Sequence, residues 1–364
     1  MADHLKKAVF AVAGSGKTTM LVDSLSHDKR TLLLTYTDAN ADQLYNAIVK
    51  KFGCLPGNIM VSTWFSFLLN FLIKPFVIAE APDVCRLEFS LPPRYEKGMP
   101  RYLKDDESLF HSRAFDFAMK YVGKEKMCDR IEKFFDEVLI DEVQDFSGYD
   151  FDFIEMLGNM GIDVVLTGDF FQHTYDTSCD GAKNKGLHDD LDKYEQRLHE
   201  YYSIDKDSLS KSHRCPAAVC DFVNSHLGLE MHSCSKATSI APPYLLCDKQ
   251  KIQDVLEDNG IKKLFYKESR MYKCNGANWG DCKGLSYEHV CVVLNNKTAT
   301  CYDQNRLSQL PPTTRNKFYV ACTRTKGPLL FIREADITAY KRPKIQPIGR
   351  EKHRHPAAPS EAHS

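Results

Sequence analysis

Short apolar runs at residues 8–13, 31–35, 58–62, 138–140 and 164–167 carry no polar alternation, and each is followed by a stretch with helical spacing. Runs of this length without a polar face read as strands buried on both sides, the condition of a parallel sheet with crossover helices. From residue 66 to about 135 the strand pattern lapses into helical and loop-like sequence, with turn clusters at Leu91-Pro-Pro-Arg94 and Lys97-Gly-Met-Pro100, which predicts an insertion. A polar, Lys/Asp-rich stretch over 176–193 then precedes a second set of apolar runs at 243–247, 263–266, 290–294 and 329–332. The expected organisation is a first α/β unit over 1–187 with its small helical insertion, a second over 188–340, and a tail over 341–364. That tail carries six Lys/Arg against two Glu, with prolines and no periodicity, and reads as a disordered, solvated basic segment.

Composition narrows the class. At 364 residues and 43% hydrophobic content, the chain has enough apolar side chains for two packed cores. The net charge of −1 advertises no global field for nucleic acid, so any such binding must come from a local groove. Thirteen cysteines lack paired C-x-x-C spacing, and Cys215 and Cys220 stand too far from other ligands to read as half a zinc site. Reduced thiols are expected. No apolar run approaches the length needed to span a bilayer, and no leader is read before the first strand, so the expected location is the cytoplasm and no membrane partner is expected.

The candidate chemistry begins where the first strand ends, at Gly14-Ser-Gly-Lys-Thr-Thr-Met20. In a strand-to-helix turn of this kind, the backbone N–H groups of Gly14, Ser15, Gly16 and Thr19 turn toward phosphate oxygens. Lys17 adds a point charge at the β/γ oxygens, and Thr18 offers its hydroxyl to Mg²⁺. Ala11 stands where the common form of this loop has its first glycine. A second strand end, Val138-Leu-Ile-Asp-Glu-Val-Gln-Asp145, puts adjacent carboxylates beside that loop, Asp141 for Mg²⁺ and Glu142 to orient or deprotonate an attacking water. A third, Thr167-Gly-Asp-Phe-Phe-Gln-His-Thr-Tyr175, offers Gln172 to sense the γ-phosphate and the Tyr175 ring to a base.

With these three motifs in this order, the chain resembles the UvrD/Rep-like group of superfamily 1 helicases over most of residues 8–332. The resemblance implies two tandem RecA-like phosphate-loop domains with parallel sheets. It also implies an Mg²⁺-dependent ATPase that couples hydrolysis to translocation along, or unwinding of, DNA in the 3′-to-5′ sense. Thr35-Tyr-Thr37 and Ser62-Thr-Trp64 look like the family's single-strand contacts, which makes Thr35, Tyr36, Thr63 and Trp64, with Tyr175, the candidate DNA-binding residues. His213-Arg214 is similar to the aromatic–arginine pair that opens the family's second domain, with His213 in place of tyrosine and Arg214 reaching the γ-phosphate. Gly280-Asp-Cys-Lys-Gly-Leu285 resembles the segment coupling both sites and brings Lys283 and Gly284 toward the nucleotide. Phe318-Tyr-Val-Ala-Cys-Thr-Arg324 resembles the helix carrying the arginine finger, Arg324.

The departures define the alternatives. Only seven residues precede the first apolar run, leaving no counterpart to the family's adenine-reading segment, and about seventy separate Arg214 from Lys283, too few for the large accessory insertion. Gly280 and Ser286 replace the usual His and Glu of the coupling segment. The leading expectation is a compact ATP-dependent DNA helicase or translocase acting on single-stranded or partly duplex DNA. The alternative is a nucleotide-dependent, helicase-like regulatory or DNA-sensing subunit of an antiviral defence complex, with a nuclease subunit as partner. A phosphate-loop kinase is a third reading, disfavoured by the paired arginines of a second unit.

Overall fold

The computed structural model describes residues 4–77, 84, 86–93, 96–174, 183–237 and 240–342. Among them, the first unit is built on β1 (Lys6–Ala11), β2 (Thr31–Thr35), β3 (Ile59–Thr63), β4 (Glu137–Ile140), β5 (Asp163–Gly168) and β6 (Ser203–Leu209). They form one sheet in the order β3-β2-β4-β5-β1-β6 with every pairing parallel. Alternate residues explain why the strands are apolar throughout. Leu32, Leu34, Val138 and Ile140 pack on one face with the insertion, and Leu33, Leu139 and Ile59 on the other with α1 (Lys17–Ser24) and α2 (Asp38–Phe52). The second unit carries β7 (Tyr244–Leu245), β8 (Ile261–Phe265), β9 (Gly276–Asn278), β10 (His289–Leu294) and β11 (Leu329–Arg333), all parallel, in the order β7-β11-β10-β8-β9. Its core is likewise split by the sheet, with Val290, Val292 and Phe331 on one side and Cys291, Val293 and Ile332 on the other. The architecture is two tandem RecA-like α/β units.

One boundary differs from expectation. β6 lies beyond residue 187 yet pairs with β1, so the first sheet reaches past the point where the second unit was expected to begin. Its sequence, Ser-Ile-Asp-Lys-Asp-Ser-Leu, is that of a sheet edge, largely exposed and charged, and carries no apolar run to announce it. The tail beyond residue 342 and Tyr175 lie outside the described residues. The eleven described cysteines are free thiols, and no described helix is long and apolar enough to cross a membrane.

Between β3 and β4 the chain is mainly helical, with segments at Trp64–Phe67, Leu68–Ile73, Ala114–Phe117 and Lys124–Phe134, and two-residue strands at Leu87–Glu88 and Leu109–Phe110. Its aromatic side chains run directly into the core of the first sheet. Trp64 is fully buried, with ring centroids 4.5 Å from Phe153, 5.3 Å from Phe146 and 5.8 Å from Phe115. No face of the indole is left for a base, and Thr35 is fully buried as well. Both therefore leave the set of expected strand contacts: Thr35 is the buried last residue of β2, and Trp64 follows β3 directly into the core.

Next to Trp64 sits a buried carboxylate, Asp150, whose Oδ2 accepts a 3.0 Å hydrogen bond from the Tyr36 hydroxyl. Burial pushes its carboxyl up to about 7, against the pull of Trp64 and Tyr36. Two outcomes follow for stability. Trp64→Ala removes a fully buried indole and is expected to lower unfolding free energy by about 3–5 kcal/mol in urea titration, where a strand-contact role would leave stability unchanged. The folded state holds the Asp150 proton to about pH 7, whereas an ordinary carboxylate, as in the unfolded chain, releases it near 3.8, so this group's contribution falls as pH rises through that window. Asp150→Asn removes the slope, and its urea midpoint relative to wild type is expected to be higher at pH 8 than at pH 5.

Candidate nucleotide site between the two sheets

At the carboxyl end of β1 the chain turns through two glycines in the left-handed region, Gly14 at φ 73° and Gly16 at φ 93°. Gly14 has a second constraint, since a Cβ there would stand 2.6 Å from the Cβ of Arg214 in the opposite unit. Gly16 caps α1, whose first residue, Lys17, is buried and 3.7 Å from the Oε1 of Glu142. The Ser15 hydroxyl is buried with no hydrogen-bond partner among the described residues, which fits a loop shaped to meet an anion.

The acid pair stands opposite. The Thr18 hydroxyl donates to Asp141 Oδ2 at 3.2 Å, Thr167 lies 3.1 Å from Asp141 Oδ1, and the Glu142 backbone N–H donates to the same Oδ1 at 3.0 Å. Thr18 and Asp141 are thus a hydroxyl and a carboxylate at the foot of the phosphate loop, a hard-oxygen pair suited to holding Mg²⁺. Glu142 takes a left-handed backbone, φ 59° and ψ 47°, uncommon for a non-glycine residue. Burial pushes the Asp141 carboxyl up, reinforced by the Glu142 charge. Burial acts on Glu142 in the same direction, but Lys17 and Lys283, helped by Gln144 and Arg324, outweigh it and hold this carboxyl below its ordinary range.

The second unit supplies the opposite wall. Arg324 follows α3 (Pro312–Cys322) and is buried. Its Nη2 donates to Gln172 Oε1 at 3.3 Å, and its Nε to the Val320 carbonyl at 2.9 Å. Arg214 donates to the Thr323 carbonyl at 3.3 Å, and the His213 backbone N–H donates to the Gly14 carbonyl at 2.9 Å. Burial, and then the charge of Arg324, pull the Arg214 guanidinium down to about 10. Neither arginine forms an ion pair with a carboxylate among the described residues.

These groups surround one cleft of about 350 Å³, lined by Gly14, Ser15, Gly16, Lys17, Thr18 and Thr19 on one side. Asp141, Glu142 and Gln172 lie deeper, and His213, Arg214, Gly284 and Arg324 come from the second unit. Lys17 and Arg324 therefore face a common space. Lys283 does not line it. Its ammonium lies 2.6 and 2.7 Å from the two oxygens of Asp145 and 3.6 Å from Glu142 Oε2, so it reaches the acid cluster from behind rather than the nucleotide cleft. Burial opposes the Lys283 charge, but Asp145 and Glu142 prevail and raise its affinity for the proton. Of the expected strand contacts, Tyr36 and Thr63 remain partly exposed at the rim where β2 and β3 end.

Motif reading left some contributors unassigned. Asn40 and Gln43 of α2 and Lys326 line the cleft, but lie outside the recognised motifs. Tyr319 was legible as part of the Phe318–Arg324 stretch but had no role. Its buried hydroxyl accepts from the Ala13 backbone N–H at 3.0 Å and donates to Asp169 Oδ2 at 2.9 Å. Gln172 Nε2 donates to that same Oδ2 at 2.7 Å, so one tyrosine ties the phosphate loop, the β5 end and the Arg324 helix together.

No curated protein sequence matches the chain. Among solved structures it is similar to the PRRSV helicase, at 11% identity and a TM-score of 0.47, covering 90% of this chain and 52% of that one. It is also similar to arterivirus nonstructural protein 10, a helicase, at 16% identity and TM-score 0.48, and to that protein's complex with DNA, at 16% and 0.49. The chain spans 52–60% of the length of these helicases. The family profile described as the viral superfamily 1 RNA helicase core domain matches residues 119–333, more than half of the sequence, and the chain belongs to that family.

Proposed function

We propose that the protein hydrolyses a nucleoside triphosphate, ATP with Mg²⁺, in the cleft between its two units and uses the cycle to move along a single strand of nucleic acid. The observation that carries this reading is the pair Arg214 and Arg324. Two guanidinium groups crowd one cleft, Arg324 adds to the burial that pulls Arg214 down, and neither forms an ion pair with a carboxylate among the described residues, so a polyanion between them and Lys17 would offset their repulsion. Lys17 and the loop N–H groups would hold the β/γ oxygens, and Thr18 and Asp141 would hold Mg²⁺, which shields the phosphate charge for attack. Glu142, kept ionised by Lys17 and Lys283, is the group that orients and deprotonates water. Gln172 connects the γ-phosphate position to Arg324.

Hydrolysis changes the charge that the arginines face, and the second unit carries them, so the relative position of the units follows the nucleotide. A strand crossing the rim at Tyr36 and Thr63 would be moved by that cycle. Within the superfamily, the motif spelling supports a UvrD/Rep-like mechanism with 3′-to-5′ polarity. The family's description names RNA helicases and one structural relative binds DNA, and either single strand suits the rim chemistry.

Lys17→Ala is expected to abolish nucleotide binding in calorimetry together with turnover. Arg324→Lys keeps the charge but loses the planar fork, and should retain nucleotide affinity while kcat falls by about 10³- to 10⁵-fold. Equal loss of binding in both variants would overturn the finger role, and hydrolysis indifferent to single strands at every salt concentration would overturn the motor. Tyr319→Phe keeps the ring in place but strands the Ala13 N–H. A lower kcat at nearly unchanged KM is expected, with about 1–3 kcal/mol lost from stability in urea titration.

A further inference from the structure

With Trp64 in the core, the ring after it, Phe65, is the one that reaches the surface. It stands edge-on to Tyr36 at 5.3 Å and 74° on one side. On the other it is edge-on to Phe89 at 5.7 Å and 87°, and to His111 at 5.6 Å and 80°. Phe89 and His111 stack on one another, centroids 4.8 Å apart and planes 24° from parallel. A line of four rings thus begins at the end of β2, on the same sheet rim as the nucleotide cleft, and runs out onto the insertion. Its inner end is anchored by the Tyr36 hydroxyl on Asp150, and its outer end by His111 Nδ1, 3.1 Å from the Glu88 carbonyl. The last ring is open. Phe89 is 63% exposed and Leu91 81%, the two most exposed large apolar side chains among the described residues.

We propose that Phe89, backed by His111 and continuing the ring line of Tyr36 and Phe65, is a base-stacking platform on the insertion for single-stranded nucleic acid. The proposal rests on the strand-tracking reading above and names where a base leaves the motor rim. A flat ring covered on one face and open on the other offers what any nucleobase takes, its π-face, without reading sequence. The charge of the described residues in the stretch 86–104 suits the phosphodiester: Arg86, Lys97, Arg101 and Lys104 stand against Glu88 and Glu96. Arg86 and Lys104 are held at 2.6 Å by Asp106 and Glu88, in exposed pairs weak enough to exchange for phosphate.

The test is fluorescence anisotropy with the full chain and labelled oligothymidylate and oligouridylate, each of about twenty nucleotides, long enough to span a stacking platform and its rim. Wild type, Phe89→Ala, Phe89→Trp and His111→Ala are compared at several salt concentrations. Phe89→Ala should weaken binding about 5- to 100-fold and His111→Ala less, while Phe89→Trp retains affinity. The salt dependence should not change, because no phosphate contact is removed, and strand-free NTP hydrolysis should equal wild type. The two oligonucleotides distinguish DNA from RNA. Unchanged affinity in Phe89→Ala overturns the platform and leaves the strand reading standing. Wild-type protein that binds neither oligonucleotide overturns both. A change in self-association by sedimentation, with strand affinity unmoved, assigns the patch to a second copy and overturns the platform.

Discussion

The molecule turns on a buried charge cluster shared between its two units. Glu142 lies between Lys17 of the first unit and Lys283 of the second, with Asp145 completing the second pair. A charge withdrawn from water is tolerated only if partnered, and removing one partner of such a pair costs about 3–5 kcal/mol. Glu142 thus depends on both units at once, and separating them would leave it with one ammonium instead of two. Lys17 of its own unit is the larger charge holding Glu142 ionised against burial, and Lys283 across the interface adds to it.

Closure is also where the two hydrophobic cores meet. Ala13 of the phosphate loop belongs to the same buried cluster as Trp279, Phe318 and Val292 of the second unit, and Val12 and Phe171 pack against it. The Tyr319 hydroxyl lies in that seam between a backbone N–H and Asp169, whose carboxyl burial pushes up. An interface with both apolar packing and satisfied buried polar groups has one preferred geometry, because sliding it by an ångström strands donors and acceptors together. The phosphate loop is therefore positioned partly by the domain that it does not belong to.

What the sequence disclosed and what it withheld divide along a physical line. The phosphate loop, the acid pair, Gln172, Arg214 and Arg324 were legible as a set that lines one cleft, because short-range backbone geometry and residue type mark each of their motifs. Their convergence on one cleft follows from parallel strands ending on one side of each sheet. Side-chain exposure was not legible. Ser62-Thr-Trp64 reads equally well as a strand contact or a core anchor, and only Phe115, Phe146 and Phe153, distant in sequence, decide that Trp64 is buried. Lys283 was read toward the nucleotide because charge alone does not reveal which acid it meets across the interface. β6 was missed because an edge strand has no need of an apolar run, and Tyr319 because the role of a hydroxyl depends on partners 150 and 306 residues away.

The nucleotide cleft and the ring line share an element, and that gives their coupling a concrete form. β2 ends at Thr35, Tyr36 begins the ring line, and Thr37 caps α2 by accepting from the Asn40 N–H at 3.3 Å. Asn40 and Gln43, on the first turns of α2, line the cleft, and a Cβ on Gly284 of the second unit would stand 3.3 Å from the Asn40 Oδ1. Gly284 sits at φ 79°, next to Lys283 on its carboxylate partners. Any movement of the second unit about Glu142 therefore presses on or releases the first turn of α2 within four residues of Tyr36. Packed helices shift as rigid pieces, since interiors at crystal-like density have no slack to absorb a displacement locally. Coupling of the proposed nucleotide cycle to the proposed strand path would need no long relay: α2, approached at its first turn by Gly284 of the second unit, is capped by Thr37, the residue after Tyr36, where the ring line begins.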